Sequence, residues 1–136
     1  MVLYKDSRFP KGEETVLVVD DEEPILKLIA RVLEPLGYKI LQAGDGADAV
    51  ATASGHSGSI DLLLTDILMH GTIGSQVANV VRKKHPNIKV LYMSGYSNEE
   101  IRDRGICDTE TDFLPKPFSS RNLASAVRVA LDRDKC

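Results

Sequence analysis

Five polar side chains each lie at or just beyond the end of a short run of apolar residues. They are Asp20, Asp21, Asp66, Ser94 and Lys116. Three clustered carboxylates raise one another's pKa unless a cation lies among them. Oxygen ligands with open positions for water suit Mg²⁺ rather than zinc. A carboxylate beside Mg²⁺, faced by a lysine and a hydroxyl, would form a receptacle for a phosphoryl group.

In this hypothesis Asp66 is a nucleophile that forms an acyl phosphate, and the pair Asp20 and Asp21 is kept to hold the metal. Each residue also has an ordinary alternative. Either aspartate of the pair could cap the following helix, Asp66 and Ser94 could belong to turns, and Lys116 could be a solvated surface lysine. Their joint occurrence after separate apolar runs favours a common site.

The apolar runs must be neighbouring strands if these side chains are to meet. Five predicted strands are TVLVV (15–19), YKILQA (38–43), IDLLLTDI (60–67), IKVLYMS (88–94) and a brief strand in DFLPKPF (112–118) that Pro115 ends. Five predicted helices alternate with them, at about 24–36, 44–54, 74–85, 98–105 and 119–133. Alternation of this kind predicts an α/β fold, with helices on both faces of a parallel sheet. In such folds ligands bind beyond the carboxyl ends of the strands.

Helical spacing also predicts which side chains face the sheet. They are Ile25, Leu28, Ile29, Val32, Leu33 and Leu36 in the first helix, Val77, Val80 and Val81 in the third, and Leu123, Ala124, Val127, Ala130 and Leu131 in the last. Pro35 should loosen the last turn of the first helix, and Gly37 should end it. Ser at the start of the last helix suits its N-terminus.

The chain of 136 residues fits one domain with a real core. We expect a flexible lead-in at 1–14, one domain at 15–133 and a tail at 134–136. Seventeen basic and twenty acidic residues give a net charge of −3, without a basic block, which argues against nucleic-acid binding by this chain alone. No apolar run approaches the ~20 residues of a membrane span, so no membrane contact is expected. The N-terminus is too polar for a secretory signal.

Cysteine and histidine spacing does not indicate a metal or disulfide framework. Cys107 and Cys136 are best interpreted as free thiols in a reducing cytoplasm. His56, His70 and His85 lie too far apart for one helix face, and none is beside a cysteine. A zinc site is therefore not predicted.

The segments VLVVDDE, LLLTDILM, MSG and FLPKPF together resemble the receiver domain of bacterial two-component response regulators. The resemblance covers roughly Thr15 to Leu131. It implies a single doubly wound (βα)5, flavodoxin-like fold with strand order 2-1-3-4-5. SGY and FLPKPF further resemble receivers at the C-terminal end of hybrid sensor histidine kinases, so the chain would be an excised fragment of such a kinase.

The resemblance implies a role for each site residue. Asp21 would bind Mg²⁺ directly and Asp20 partly through water, with Asp66 and the backbone carbonyl of Leu68 completing the protein ligands; Mn²⁺ would substitute. Asp66 would accept phosphate from a phosphohistidine of a histidine kinase or histidine phosphotransfer protein. Ser94 and Lys116 would contact the phosphoryl oxygens, and Phe113 would be the aromatic switch that turns inward as Ser94 moves. The Lys116–Pro117 bond would be cis.

By the same resemblance, this cytoplasmic chain would catalyse only its own phosphorylation and slower dephosphorylation, and would not be an enzyme by itself. Phosphorylation would shift the population of the face formed by the fourth helix, fifth strand and fifth helix. That face would be the place for a homodimer. Charged residues of the fourth predicted helix would allow either a salt-bridged surface there or an ordinary solvated helix: Glu99, Arg102, Asp103 and Arg104. His70 replaces the proline common after the phosphoacceptor, and we expect it to be a surface loop histidine.

Three alternatives stay open at this point. GDGADA (44–49) fits the G-x-G-x-x-A of dinucleotide-binding proteins, but it follows the second strand and places Asp45 where a pyrophosphate would lie. An aspartyl-phosphate hydrolase would need two carboxylates two residues apart after the first strand, a spacing that is absent from Val19 to Glu22. A degenerate receiver used only for docking is disfavoured because all five polar residues are present.

Overall fold

The structure, a computed structural model, describes residues 9–69, 72–95 and 112–133. Five of the described strands form one parallel sheet: β1 (Thr15–Val19), β2 (Lys39–Ala43), β3 (Leu62–Asp66), β6 (Lys89–Ser94) and β7 (Asp112–Pro115). Two short strands, β4 (Leu68–Met69) and β5 (Thr72–Ile73), form a separate antiparallel hairpin. The sheet order is β2-β1-β3-β6-β7. Counted along the sheet strands alone, this is the predicted order 2-1-3-4-5, which is confirmed.

Four α-helices lie in the described part of the chain: α1 (Glu23–Leu33), α2 (Gly46–Gly55), α3 (Gly74–Lys84) and the C-terminal helix (Ser120–Asp132). The side chain of Asp45 accepts the Asp48 N–H and that of Ser119 accepts the Asn122 N–H, so each caps one free N–H group in the first turn of its helix. The helix predicted at 98–105 lies outside the described residues.

Pro35 loosens the end of α1 as predicted. The residues Glu34–Leu36 form a 3-10 turn, and Gly37 ends it with a φ of 109°. Only glycine adopts this left-handed conformation without steric cost. A Cβ at this position would also overlap the carbonyl oxygen of Gly12.

The core has two layers, one on each face of the sheet, because successive side chains of a strand point to opposite faces. In β1, Val16 and Val18 pack under α1 and the C-terminal helix, whereas Leu17 and Val19 pack under α2 and α3. All four are completely buried. Because the central strands are covered on both faces, their runs are almost wholly apolar.

Two predicted core positions are wrong. The exposed fractions are 38% for Leu28 and 43% for Val80. The buried stripe of α1 consists of Leu26, Ile29, Ala30 and Leu33, and that of α3 of Gly74, Val77, Ala78 and Val81. Each stripe keeps the i, i+3, i+4, i+7 spacing, but it runs through small residues that hydrophobicity alone undervalues.

Residues 9–14 contact the rest of the described chain. The Gly12 N–H donates to the Leu36 carbonyl, and the Arg128 guanidinium donates to both carboxylate oxygens of Glu14 and to the Lys11 carbonyl. The domain limits at 1–14, 15–133 and 134–136 stay a prediction. Within the described residues, no helix is both long and apolar enough to cross a bilayer.

Candidate functional site

The predicted site residues lie at the carboxyl ends of four adjacent strands. Asp20 and Asp21 follow β1, Asp66 is the last residue of β3, Ser94 is the last of β6, and Lys116 follows β7. Because β1, β3, β6 and β7 are consecutive neighbours in the sheet, their ends form one edge. The alternating fold thus positions residues that are up to 96 positions apart in the sequence.

The carboxylates of Asp20, Asp21 and Asp66 converge at this edge. One ligand oxygen of each lies within 4.8 Å of the others. Asp20 is completely buried, Asp66 is half-buried and Asp21 is exposed. Asp20 does not cap α1 through its side chain in the usual way, but its Oδ1 accepts the Glu22 N–H at 2.8 Å just ahead of that helix. Three oxygen donors at this spacing, one open to solvent, fit a hard divalent cation such as Mg²⁺.

The ammonium of Lys116 lies among these carboxylates. Its Nζ is 2.8 Å from Asp20 Oδ2 and 2.9 Å from Asp66 Oδ2. Burial opposes the charged lysine, but the hydrogen bonds and charges of the two aspartates outweigh it and raise the pKa of Lys116. The cluster is therefore neutralised in part by a cation that belongs to the chain itself.

The electrostatics of Asp66 differ from those of an ordinary surface aspartate. Burial raises the pKa of Asp66, and the hydrogen bond and charge of Lys116 lower it only in part. The charge of Asp20 adds to the upward shift, whereas a hydrogen bond from the Leu68 backbone opposes it. A half-buried carboxylate whose negative charge is poorly solvated favours binding to a cation or reaction with an electrophile.

Two residues that the sequence did not single out shape the site. Gly74 approaches the Asp66 backbone so closely that a Cβ there would overlap the Asp66 carbonyl oxygen, and its N–H donates to the Ile67 carbonyl at 2.7 Å. Glu22 Oε1 lies 3.9 Å from Lys116 Nζ. The sequence feature that could have identified Glu22 is its position directly after the aspartate pair. The feature that could have identified Gly74 is a glycine at the start of a predicted helix.

Comparison with known proteins identifies the family. The profile of the family described as "Response regulator receiver domain" matches residues 16–128. The chain belongs to the response regulator receiver domain family. Receivers act in two-component phosphorelay signalling, and the predicted family and fold are both confirmed.

Individual relatives agree with this assignment. The chain is 33% identical over 122 residues to the sensor kinase CckA of Brucella abortus, and 34% identical over 122 residues to the transcriptional regulatory protein ResD of Bacillus subtilis. Each alignment covers 90% of this chain, but only 13% of CckA and 50% of ResD. The chain thus spans half or less of the length of these two relatives.

Solved structures give the same result. The receiver domain of the hybrid histidine kinase CckA matches with a TM-score of 0.73 at 33% identity, covering 87% of this chain and 99% of that domain. The chemotaxis response regulator CheY4 of Vibrio cholerae matches with a TM-score of 0.74 at 24% identity, covering 88% of this chain and 99% of CheY4, which supports the fold alone. The predicted resemblance to the receiver of a hybrid histidine kinase is confirmed.

The other predicted residues of this receiver lie as follows. Ser94 is buried, and its carbonyl accepts the Lys116 N–H at 2.8 Å. Phe113 is partly buried and stacks on Tyr92, with ring centroids 6.0 Å apart. The Lys116–Pro117 bond is cis, as the resemblance implied. His70, the fourth predicted helix with Glu99, Arg102, Asp103 and Arg104, and both cysteines lie outside the described residues.

The glycine motif at 44–49 forms the turn into α2. The Asp45 side chain accepts the Asp48 N–H at 2.7 Å, and the Gly44 N–H donates to Asp48 Oδ2 at 3.2 Å. A carboxylate therefore occupies the helix N-terminus that would have to receive the pyrophosphate of a dinucleotide. This cap and the family assignment leave no support for dinucleotide binding.

Proposed function

We propose that this receiver accepts a phosphoryl group on Asp66 from the phosphohistidine of a histidine kinase or a histidine phosphotransfer protein. The observation that carries the proposal is the convergence of Asp66, Asp20 and the Lys116 ammonium within hydrogen-bond distance. A carboxylate oxygen of Asp66 would attack phosphorus, the P–N bond to imidazole would break, and the donor histidine would leave with the electron pair and take up a proton.

Asp20, Asp21, Asp66 and the Leu68 backbone carbonyl would hold Mg²⁺, with Mn²⁺ able to substitute. The carboxylate spacing of 4.8 Å or less supports the first three of these ligands. When bound, the divalent ion supplies positive charge that offsets the charge of the phosphoryl oxygens. Lys116 would exchange its hydrogen bond to Asp66 for one to a phosphoryl oxygen, and the Ser94 hydroxyl would bind another.

Chemistry of this kind acts on the chain itself. The receiver would catalyse its own phosphorylation and, more slowly, the attack of water on the Asp66 acyl phosphate. It would have no turnover on other substrates. Similarity to a CckA receiver supports a parent protein of the hybrid histidine kinase type, in which case this chain would be a cytoplasmic part of that protein.

Phosphorylation would switch the face that contains β7 and the C-terminal helix. Ser94 would move toward the phosphoryl group, and Phe113, which now stacks on Tyr92, would turn inward to fill the space left behind. The C-terminal helix carries an exposed apolar residue, Val129, at 61% exposure. Together with the fourth predicted helix this face would serve the output partner or a second copy of the chain.

The proposal is tested by incubation with acetyl phosphate and MgCl₂, followed by intact mass spectrometry. Wild type should gain one phosphoryl group, EDTA should prevent the gain, and Asp66→Asn should abolish it. Beryllofluoride with Mg²⁺ should shift the amide resonances of Ser94 and Phe113 in wild type only. Undiminished labelling of Asp66→Asn would place the acceptor elsewhere and overturn the proposal.

A further inference from the structure

We propose that Glu22 is a positioning residue, which holds the Lys116 ammonium at the site when a divalent cation occupies the aspartates. This inference rests on the proposed function and deepens it. In this role the carboxylate of Glu22 binds the Lys116 ammonium and does not compete with the aspartates for the metal.

Lys116 has three carboxylate neighbours among the described residues, and they are not equivalent. Asp20 and Asp66 lie at 2.8 and 2.9 Å from its Nζ, and both belong to the cluster that fits a cation. The third neighbour is Glu22, at 3.9 Å and outside that cluster. Its side chain is 64% exposed, so most of it lies in solvent.

The backbone of Glu22 is fixed from both sides. Its N–H donates to Asp20 Oδ1 at 2.8 Å, and its carbonyl accepts the N–H groups of Ile25 and Leu26 at 3.0 and 3.3 Å. Glu22 is the N-cap residue of α1, yet its side chain makes no capping hydrogen bond. The backbone thus anchors this residue to the site while its carboxylate stays available to the lysine.

Cation binding creates the need for such a partner. An ammonium has three donors, and in this structure two of them go to Asp20 and Asp66. A divalent cation that binds these two aspartates competes for the same oxygens and repels the ammonium. Glu22 then offers the ammonium another anionic acceptor, one whose backbone is hydrogen-bonded to Asp20. The Glu22 carboxylate lies 3.9 Å from the ammonium, so an ion pair with it would keep the lysine close enough to receive the phosphoryl group.

Loss of this carboxylate should slow phosphorylation without weakening the metal site as a whole. We expect Glu22→Gln to lower the rate of phosphorylation by acetyl phosphate, at saturating MgCl₂, about two- to fivefold, as suits an exposed ion pair. The matched control is Glu23→Gln. It removes the same charge from the next residue, whose carboxylate pairs with Lys27 at 3.0 Å instead. This control should change the rate less than about 1.5-fold.

Two further measurements separate positioning from a general charge effect. In the Mg²⁺-loaded protein, the side-chain NMR resonances of Lys116 should shift in Glu22→Gln and stay in place in Glu23→Gln. Calorimetric Mg²⁺ affinities of the two variants should agree within about twofold, since both lose one exposed charge.

A double-mutant cycle tests whether Glu22 acts through Lys116. In a Lys116→Met background, Glu22→Gln should have no further effect on the rate. An equal loss of rate in both backgrounds, or equal effects of Glu22→Gln and Glu23→Gln, would overturn the inference. Failure of the proposed function has a different signature, because wild type itself would then not be labelled on Asp66.

Discussion

Replacement of Lys116 by methionine would remove the only chain cation that lies between Asp20 and Asp66 in the described residues, while keeping most of the side-chain volume. The two ion pairs are 2.8 and 2.9 Å long, and the exposed side-chain fractions are 18% for the lysine, 0% for Asp20 and 15% for Asp66. The variant therefore leaves two poorly solvated carboxylates facing each other. We expect a clear loss of stability in metal-free solution.

The size of the loss follows from the burial of the partners. Removal of one member of a fully buried ion pair costs about 3–5 kcal/mol. This site lies at the edge of the sheet, where the side chains of Lys116 and Asp66 are partly exposed, so solvent screens part of the repulsion. We therefore expect about 2–3 kcal/mol, which corresponds to a urea midpoint lower by about 1 M.

Added Mg²⁺ should act more strongly on the variant than on wild type. In wild type the cation must displace or approach the ammonium, whereas in Lys116→Met the aspartates have no competing cation. Two unit charges at about 4 Å interact by about 1 kcal/mol in water and more in a protein. We expect Mg²⁺ to bind Lys116→Met about tenfold more tightly. Saturating Mg²⁺ should then close part of the stability gap.

Urea unfolding followed by circular dichroism at pH 7, with and without MgCl₂, measures both effects, and calorimetry gives the affinities. The matched control is Lys27→Met, which breaks the exposed pair with Glu23 and should cost no more than about 0.5 kcal/mol. Equal stabilities and equal Mg²⁺ affinities for the two variants would refute the view that Lys116 neutralises the aspartate cluster.

Two predictions concern the N-terminal residues 9–14 and their contacts. Gly37→Ala should lower the free energy of unfolding by about 1–3 kcal/mol, because φ is 109° and the new Cβ would overlap the Gly12 carbonyl oxygen. The control is Gly44→Ala, since a Cβ at Gly44 would meet no atom within 4 Å. In the same urea assay its unfolding free energy should stay within about 0.5 kcal/mol of wild type. Arg128→Met should cost about 1 kcal/mol at pH 7, because it removes the hydrogen bonds that lower the pKa of Glu14. The pair with Arg128 stabilises the fold at a pH above the ordinary pKa of a glutamate, and this stabilisation is lost as pH falls through the lowered pKa of Glu14. The difference in unfolding free energy between the variant and wild type should therefore close below about pH 4. A gap that stays constant from pH 7 to pH 3 would exclude the Glu14 pair as its source.

Strand ends were the most predictable part of the molecule. The run TVLVV is apolar apart from Thr15 because both faces of β1 are covered, and the prediction 15–19 agrees with the strand Thr15–Val19. Parallel wiring then places the carboxyl ends of the strands at one edge, so the meeting of Asp66, Asp20 and Lys116 could be predicted without knowledge of any distance.

The rest depended on contacts that periodicity does not encode. Strands of two residues, such as β4 and β5, are too short to show alternation, so this hairpin beside Asp66 was not predicted. The contact of Glu14 with Arg128 spans 114 residues and involves charged side chains that a sequence pattern assigns to solvent. Leu28 was placed inward because it shares helical spacing with Ile25 and Val32. The buried stripe of α1 is shifted by one residue and consists of Leu26, Ile29, Ala30 and Leu33.

The most direct test of phosphorylation at Asp66 locates the phosphoryl group on the chain. Borohydride reduces an aspartyl phosphate to homoserine, which tandem mass spectrometry of the peptide that contains residue 66 can identify. After incubation with acetyl phosphate and Mg²⁺, we expect homoserine at position 66 and unmodified aspartate at positions 20 and 21. Homoserine at either of those positions, or none at position 66 in a protein that has gained phosphate, would contradict it.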